Sequence, residues 1–268
     1  MNQNQPPKKQ PSSTPAPSPT PSNLNQLQRS KEAQWLLNEK YNGIPSPAYE
    51  EDLARLTNDE PLAYIIGSIP FLTTTIHLDS RPLIPRSESE YWLEQALKQA
   101  PKEPLRILDI FAGSGALGVA WLTHRPQDSL VFAEIDTAHH ATIRHNLKAN
   151  NLPEQSIVGG DMFEHVSGTF DVMLANPPYV PTTRLLAPSV TAFEPAKALY
   201  ADEDGLSFIR RLAQEAPAFL HPSGTLYVEH DEHHDATACF PETTWSTQQW
   251  NDQYGKPRTI VAHLVHAT

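Results

Sequence analysis

The stretch Asn176-Pro177-Pro178-Tyr179 brings together groups suited to holding a planar NH2 group. The side-chain oxygen of Asn176 and a main-chain carbonyl can accept its two hydrogens, while the ring of Tyr179 stacks on its plane. Both prolines fix their own φ angles and lack amide donors, so the backbone is stiff and its carbonyls remain free to accept. We therefore expect a catalytic and substrate-binding site for an amide or an amino-base. An ordinary turn is the alternative, because Asn-Pro and Pro-Pro also mark turns.

A glycine-containing loop, Phe-Ala-Gly-Ser-Gly at 111–115, follows an apolar run at 105–110 and precedes an apolar segment at 116–122. A strand, a glycine turn and a helix in this order are typical of a nucleotide-binding unit, where glycines let the backbone approach a ligand closely. Asp109 stands near the end of the strand, where its carboxylate could pair with a cationic amine such as that of a methionine moiety. A glycine turn needed only for packing the helix on the strand is the other interpretation.

Two carboxylates follow the next apolar run, at 129–133. Glu134 occupies the position, some twenty residues beyond the glycines, at which folds of this kind bind ribose hydroxyls. Asp136 is better interpreted as the N-cap of a helix at 137–149, because its side chain can accept from an unpaired backbone amide there.

Asp161 follows a third short apolar segment and could accept a hydrogen bond from an adenine amino group. Met162 or Phe163 would then lie against the adenine ring. Taken alone, this segment could be a surface turn. An amine ligand, a ribose ligand and an adenine ligand in succession, followed by an amide clamp, together predict S-adenosylmethionine as the cofactor.

The composition indicates a cytoplasmic protein that acts on a protein or a small molecule. A net charge of −11 argues against wide attraction to the phosphates of nucleic acid. Cys239 is the only cysteine, which excludes an internal disulfide framework and fits a reducing compartment. No apolar run approaches the roughly 20 residues that cross a bilayer, and the N-terminus lacks the apolar core of a signal peptide. We expect no membrane contact, no stable nucleic-acid binding and a monomer.

Composition and periodicity divide the chain into four parts. The first is almost wholly Pro, Ser, Thr, Gln, Asn and Lys, which bury too little apolar surface to offset the entropy of ordering. In the last part, strands alternating with helices predict an α/β, Rossmann-like fold. The predicted parts are a disordered leader at 1–28, a short helical piece at 29–68, a β-hairpin strap with a helix at 69–101, and the catalytic domain at 102–268.

Local signals predict several elements before the catalytic domain. Helical spacing of apolar residues predicts helices at 29–41 and 48–57. Ser87 with Glu90 has the pattern of a capping box for a helix at about 88–100.

Seven motifs run through the chain from about residue 60: EPLAYIIG, LIPRSESE, ILDIFAGSGALG, GDMFE, NPPYVP, FEPAKALYADEDGL and DQYGKPR. In this order they resemble the release factor glutamine methyltransferase family. NPPY alone is shared with methyltransferases that act on adenine, whereas the motifs before and after it are more particular to the family. The chain departs from the family in two places. Phe111 stands where a glycine is usual, and the helical segment before PLAYIIG is shorter.

The resemblance implies a class I methyltransferase fold with seven strands, mostly parallel, and a reversed last hairpin. It implies methyl transfer from S-adenosylmethionine to the side-chain amide nitrogen of the glutamine in the GGQ loop of a peptide-chain release factor. By position, the implied cofactor contacts are Phe111, Ala112, Gly113, Ser114, Gly115, Glu134, Met162 and Asn176, and the implied glutamine site is Asn176, Pro177, Pro178 and Tyr179.

Three other functions are compatible with parts of the sequence. An adenine amino methyltransferase acting on DNA or RNA would use the same clamp on a flipped base, although the acidic balance disfavours it. A second alternative is a methyltransferase fold that has lost catalysis and acts as a binding module, which the unusual Phe111 in the glycine loop would fit. A metal site at His230, His233 and His234 is the third, but the run in which they lie more plausibly forms a solvated strand end and the start of a helix. We therefore expect no metal.

Overall fold

The computed structural model describes residues 21–265, and the chain divides after Thr57 into two compact units. The described part of the first unit consists of helices α1 (Pro21–Tyr41) and α2 (Pro47–Thr57). Helix α1 begins at Pro21 rather than at the predicted residue 29, so the last residues of the expected disordered leader are helical. A helix can start at a proline because the missing amide hydrogen would be unpaired there anyway. Residues 1–20 of that leader lie outside the described residues.

Asp52 joins the two helices of the first unit. Its buried carboxylate accepts from Lys40 Nζ at 2.6 Å, from the Tyr41 hydroxyl at 2.7 Å and from Arg55 Nη1 at 2.6 Å. Burial alone would raise the pKa of Asp52, but these three donors hold it below its usual value. Two helices on their own bury little apolar surface, so this ionic contact contributes to holding the pair together.

The second unit begins with α3 (Leu62–Ile66) and the predicted hairpin of β1 (Ser68–Phe71) and β2 (Thr74–His77). Gly67 ends α3 in a left-handed conformation with φ of 92°. Its carbonyl accepts from Leu78 N at 2.9 Å, just beyond β2. Because α3 is bonded to the hairpin in this way, the boundary between the units lies after Thr57 and not at the expected residue 68.

Helix α4 (Ser87–Gln99) follows the hairpin, but the predicted capping box is wrong. The N-cap position belongs to Arg86, whose side chain makes no capping bond, and Ser87 Oγ donates to Glu88. Glu90 instead accepts from the backbone N–H of Leu72 in the hairpin turn. A local pattern cannot reveal this donor, which lies 18 residues away in sequence.

The rest of the second unit supplies the central sheet and its helices. The strands are β3 (Arg106–Ile110), β4 (Ser129–Ala133), β5 (Ser156–Val158), β6 (Phe170–Ala175), β7 (Leu220–Glu229), β8 (Trp245–Asn251) and β9 (Pro257–Leu264). The helices are α5 (Ala116–His124), α6 (Thr137–Ala149), α7 (Pro188–Thr191), α8 (Ala196–Leu199) and α9 (Ser207–Glu215), and short 3-10 turns lie at Ala216–Ala218 and Ala236–Cys239.

The strand order is β5-β4-β3-β6-β7-β9-β8. Neighbours from β5 to β7 are parallel, and β9 runs antiparallel to both β7 and β8. The predicted α/β fold, its mostly parallel sheet of seven strands and its reversed last hairpin are therefore confirmed. Parallel strands end at one edge, and β3 has β4 on one side and β6 on the other, which makes the carboxyl end of β3 a switch point of the sheet.

Side chains alternate between two apolar clusters, one on each face of the sheet. Ile107, Val172 and Leu174 belong to one cluster, and Leu108 and Met173 belong to the other. Because both faces are covered, these strands read as continuous apolar runs in the sequence. Among residues 21–265, no helix combines the length and the apolar character needed to cross a membrane.

Asn146 on α6 fastens the hairpin to the catalytic domain. Its side chain is fully buried, accepts from His77 N at 2.7 Å and donates to His77 O at 3.0 Å and to Ser114 O at 2.9 Å. Asn150, one turn later, makes the same pair of bonds to Thr75 at an exposed position. The free edge of β2 is thus bonded by amide side chains, one of which also holds the glycine loop.

We expect Asn146→Ala to lower the free energy of unfolding by roughly 2–4 kcal/mol, because a buried carbonyl of Ser114 and two partly buried backbone groups of His77 lose their partner. Asn150→Ala is the matched control, since the same side chain type bonds the same strand where water can replace it. Urea denaturation measures both variants. Equal losses for the two variants would contradict the importance of the buried contacts.

Candidate active site

A cavity of about 280 Å³ lies at the carboxyl ends of β3, β4 and β6, where ligands bind in open α/β sheets. Apolar and polar groups share its walls. The expected cofactor residues that line it are Phe111, Gly113, Glu134, Asp161, Met162 and Asn176. Ala112, Ser114 and Gly115 are buried behind the loop and do not line it. The structure therefore brings residues from four separate motifs to one place.

Glu134 fixes the glycine loop to the end of β4. Its Oε2 accepts from Gly113 N at 2.7 Å, and its Oε1 accepts from Asp136 N at 2.8 Å. Each carboxylate oxygen can accept more than one hydrogen bond, so both retain capacity for a ligand in the cavity. Asp136 is the N-cap of α6, with Oδ1 accepting from Ala138 N at 3.0 Å, as the sequence predicted.

Phe111 occupies the left-handed region with φ of 64°, a conformation that costs a non-glycine residue about 1–2 kcal/mol. Its ring packs edge-on against Phe208 with centroids 5.5 Å apart, and both rings line the cavity. Phe111 therefore adopts the backbone conformation typical of a glycine, and its side chain adds an aromatic surface to the cavity wall. A Cβ at Gly113 would meet no atom within 4 Å, so the loop borders open space there.

Asp109 is not brought to the cavity, contrary to the expectation that it contacts a cationic amine. It is fully buried, and its Oδ2 accepts from Gly118 N at 2.9 Å in the first turns of α5. Burial raises the pKa of Asp109 well above its usual value. A Cβ at Gly118 would lie 2.4 Å from the Phe132 ring, so helix and sheet pack closely beside this carboxylate, and its Oδ1 has no hydrogen-bond partner among the described residues.

Asp161 and Met162 form another wall of the cavity. Asp161 is exposed and pairs with Arg211 Nη1 at 2.9 Å, while Met162 is buried. Phe163, the alternative to Met162 as the ring contact, instead stacks on Phe219 with centroids 4.7 Å apart and does not line the cavity. Met162 is therefore the side chain of this pair that a planar ring in the cavity would meet.

Asn176 stands in a wall shared by two cavities. On one side is the cavity described above, and on the other is a second cavity of about 220 Å³. Pro178 faces the first cavity, whereas Pro177 and Tyr179 line the second. The predicted clamp therefore lies where two ligands could meet, one from each side.

Glu229, the last residue of β7, lies beneath this motif and is fully buried. Its Oε2 accepts from Ser89 Oγ at 2.5 Å and from Trp92 Nε1 at 2.8 Å, and its Oε1 accepts from the Tyr179 hydroxyl at 3.1 Å. Asn176 Nδ2 donates to Ser89 Oγ at 3.2 Å. Burial raises the pKa of Glu229, although the three donors oppose this rise. Burial and the nearby Glu229 likewise raise the pKa of Tyr179.

An ion pair between the buried Glu194 and the partly exposed Arg86 fixes the segment between β6 and α9 to the chain beside the second cavity. Glu194 accepts from Arg86 Nη2 at 2.6 Å and from Ile84 N at 3.1 Å. The motifs LIPR and FEP, both read from the sequence, therefore meet through these residues. The sequence suggested that Phe193-Glu194-Pro195 covers the substrate, but it could not reveal these contacts, because the bonded residues lie 108 and 110 positions apart.

His139, on the first turn of α6, is a cavity residue that sequence reasoning missed. It is buried, and its Nδ1 lies 2.8 Å from Ser80 Oγ. The sequence could have indicated His139, because it lies about one helical turn after the N-cap Asp136 and would face the same side of α6 as Glu134.

The three histidines proposed as an alternative metal site are not arranged to share an ion. His230 is buried, with Nδ1 donating to Asp231 O at 2.8 Å and Nε2 accepting from Gln249 at 3.0 Å. Burial lowers the pKa of His230, and His233 is exposed. Within residues 21–265, the set of three potential metal-ligating side chains whose ligand atoms lie within 4.8 Å of one another is His77, Asp79 and His145. The two rings of that group stack at 21°, so their in-plane lone pairs do not converge.

The backbone of Gly205 lies close to the NPPY motif. It has φ of 78°, and a Cβ there would lie 2.4 Å from Tyr179 O and 2.8 Å from His234 Cε1. The DGL motif therefore needs a glycine both for its conformation and for the space beside Tyr179.

Comparison with known proteins finds methyltransferases at the level of both sequence and fold. A family model described as the methyltransferase small domain matches residues 90–193. The release factor glutamine methyltransferase of Streptococcus pneumoniae is 33% identical over 220 residues, which cover 79% of this chain and 78% of the relative. The protein of that name from Lactococcus lactis is 30% identical over 246 residues, which cover 89% of this chain and 90% of the relative. A methyltransferase structure from Pyrococcus furiosus is 19% identical and has a TM-score of 0.54. The match covers 80% of this chain and 98% of that structure, and it shows a similarity of fold alone.

Gly205→Ala should lower the free energy of unfolding by roughly 2–4 kcal/mol, since overpacking adds to the cost of a left-handed alanine. Gly255→Ala is the matched control, because Gly255 has φ of 79° but a Cβ there would meet no atom within 4 Å. The control should lose only about 1–2 kcal/mol. Thermal denaturation of both variants gives the difference, and identical losses would show that the approach to Tyr179 is not tight.

Proposed function

Since this chain belongs to the release factor glutamine methyltransferase family, we propose that it methylates the side-chain amide nitrogen of the glutamine in the GGQ motif of a peptide-chain release factor. The methyl donor in this proposal is S-adenosylmethionine.

The observation that carries the proposal is the place of Asn176 in the wall between two cavities. Among residues 21–265, neither its Oδ1 nor the Pro177 carbonyl accepts a hydrogen bond from the chain. Two such acceptors suit the two N–H groups of a carboxamide. A glutamine side chain entering the second cavity would therefore reach both acceptors, one of which, on Asn176, also borders the first cavity.

The first cavity fits the proposed cofactor by the chemistry of its walls. Glu134 offers two carboxylate oxygens of the kind that bind vicinal hydroxyls, and the apolar Met162 and Phe111 suit a planar ring. Asp161 offers an acceptor for an amino group. Asp109 is left out of this set, because its burial under α5 keeps it from the cavity. When bound, S-adenosylmethionine supplies a sulfonium methyl group for transfer.

The nitrogen of a carboxamide is a poor nucleophile because its lone pair is delocalised into the carbonyl. By accepting both of its hydrogens, Asn176 Oδ1 and the Pro177 carbonyl favour a pyramidal nitrogen whose lone pair points away from them. Their dipoles also stabilise the positive charge that develops on this nitrogen. Tyr179, held by Glu229, restricts the plane of the substrate amide. No residue needs to remove a proton beforehand.

The direct test is incubation of the full chain with labelled S-adenosylmethionine and a release factor. Label should enter the release factor and should be absent when its GGQ glutamine is changed. The same assay with adenine-containing DNA and RNA tests the competing function. Label in nucleic acid and none in the release factor would overturn the proposal.

Glu134→Ala should weaken S-adenosylmethionine binding by about 1–3 kcal/mol, the range for losing hydrogen bonds to a charged group. Asp171→Ala is the matched control, because Asp171 also accepts from a backbone amide, Arg106 N at 2.8 Å, at the start of β6 rather than at its carboxyl end. Calorimetry measures both affinities. Affinity unchanged in Glu134→Ala would contradict the assignment.

Asn176→Ala should slow methyl transfer by about 100-fold or more, comparable to removing one preorganised polar group from other active sites. Single-turnover rates with saturating cofactor isolate this step. Cofactor affinity should change far less, because most of the cavity wall comes from other strand ends. A variant as fast as the parent would show that Asn176 does not hold the substrate.

A further inference from the structure

We propose that Ser89 and Glu229 are positioning residues that fix which end of the Asn176 side-chain amide faces the substrate. This inference rests on the proposed function, since it concerns the acceptor that would hold the glutamine nitrogen. Neither residue lines either of the two cavities at the NPPY motif, so both act through the motif.

The direction of the hydrogen bonds follows from Trp92. An indole N–H can only donate, and Trp92 Nε1 lies 2.8 Å from Glu229 Oε2. Glu229 Oε2 is therefore an acceptor, whatever the protonation of the other carboxylate oxygen. Ser89 Oγ lies 2.5 Å from the same oxygen and, with that oxygen unprotonated, donates its single proton to it.

Ser89 then has only lone pairs left for its second neighbour, Asn176. The atom of Asn176 at 3.2 Å must be a donor, which assigns it as Nδ2. The side-chain oxygen Oδ1 is consequently turned away from Ser89. Because Ser89 is buried, water cannot offer a substitute partner that would let the amide turn over.

The orientation of this amide decides what the site accepts. With Oδ1 available, the site accepts hydrogens from an NH2 group; with the amide reversed, it would present its own NH2 and select a carbonyl oxygen. A reversed amide would also place its oxygen against the lone pairs of Ser89. The ligand carboxamide has one end of each kind, so this choice determines that nitrogen, not oxygen, is held at the reacting position.

The same carboxylate also holds the aromatic member of the motif. Glu229 Oε1 accepts from the Tyr179 hydroxyl at 3.1 Å. One buried group at the end of β7 is therefore bonded to Tyr179 directly and to Asn176 through Ser89. The two polar side chains of NPPY are oriented relative to each other by a residue outside the motif.

A double-mutant cycle tests the inference in the full chain. Ser89→Ala should lower kcat about 10-fold, the effect of losing roughly one hydrogen bond that selects the reactive orientation, with KM for the release factor within about twofold. Ser89→Thr retains the hydroxyl and should keep most of kcat. In the Asn176→Ala background, Ser89→Ala should change the residual rate by less than about twofold, because no amide is left to orient. Cofactor affinity, measured on each variant, confirms that it is folded.

Equal losses from Ser89→Ala in both backgrounds would overturn the inference, because a purely structural effect does not depend on Asn176. A Ser89→Thr variant as slow as Ser89→Ala would also overturn it. So would an unaltered kcat in Ser89→Ala.

A second measurement separates this inference from the proposed function. Hydrogen exchange of the Asn176 side-chain NH2, followed by NMR without a release factor, should be faster in Ser89→Ala than in the parent. If the parent did not methylate the release factor but this difference appeared, the proposed function would fail and the positioning role would stand. No difference in exchange would overturn the positioning role.

Discussion

A buried carboxylate must be surrounded by donors, and this fold places one at the end of each of two parallel strands. Glu134 directly follows β4 and accepts from backbone amides of the glycine loop and of the turn into α6. Glu229 ends β7 and is satisfied by side chains of α4 and of the NPPY motif. Because an unpaired buried charge is costly, each carboxylate forces its neighbours into one arrangement. The two cavities are shaped by these two sets of hydrogen bonds.

Helix α4 connects the parts of the second unit that the sequence motifs describe separately. Its first turns provide Ser89 and Trp92 to Glu229, and Glu90 from the same turns accepts from the hairpin turn at Leu72. The hairpin is bonded in turn to α6 by Asn146, which also holds the loop carbonyl of Ser114. The strap is therefore a structural link between the two cavities as well as a cover.

Features with local causes could be predicted from the sequence, and features with distant causes could not. Apolar runs identified the strands, and Asp136 identified the start of α6, because burial and capping act over a few residues. The burial of Asp109 beneath α5, away from the lining of the cavity, could not be foreseen, because the sequence does not show how closely α5 approaches the sheet at Gly118. Ser89 and Glu229 were missed for a similar reason, since their contact joins residues 140 apart. The family resemblance identified the motifs but gave no information on the hydrogen bonds between them.

In the strand order β7-β9-β8, strand β9 lies between β7 and β8. Strand β8 precedes β9 in the chain but does not pair with β7, so it belongs to the sheet only through β9. Without β9, β7 would have an open edge, and the backbone of Glu229, which pairs with Thr259, would be exposed to water. The dry surroundings of Glu229 therefore depend on a strand that comes later in the chain than Glu229 itself.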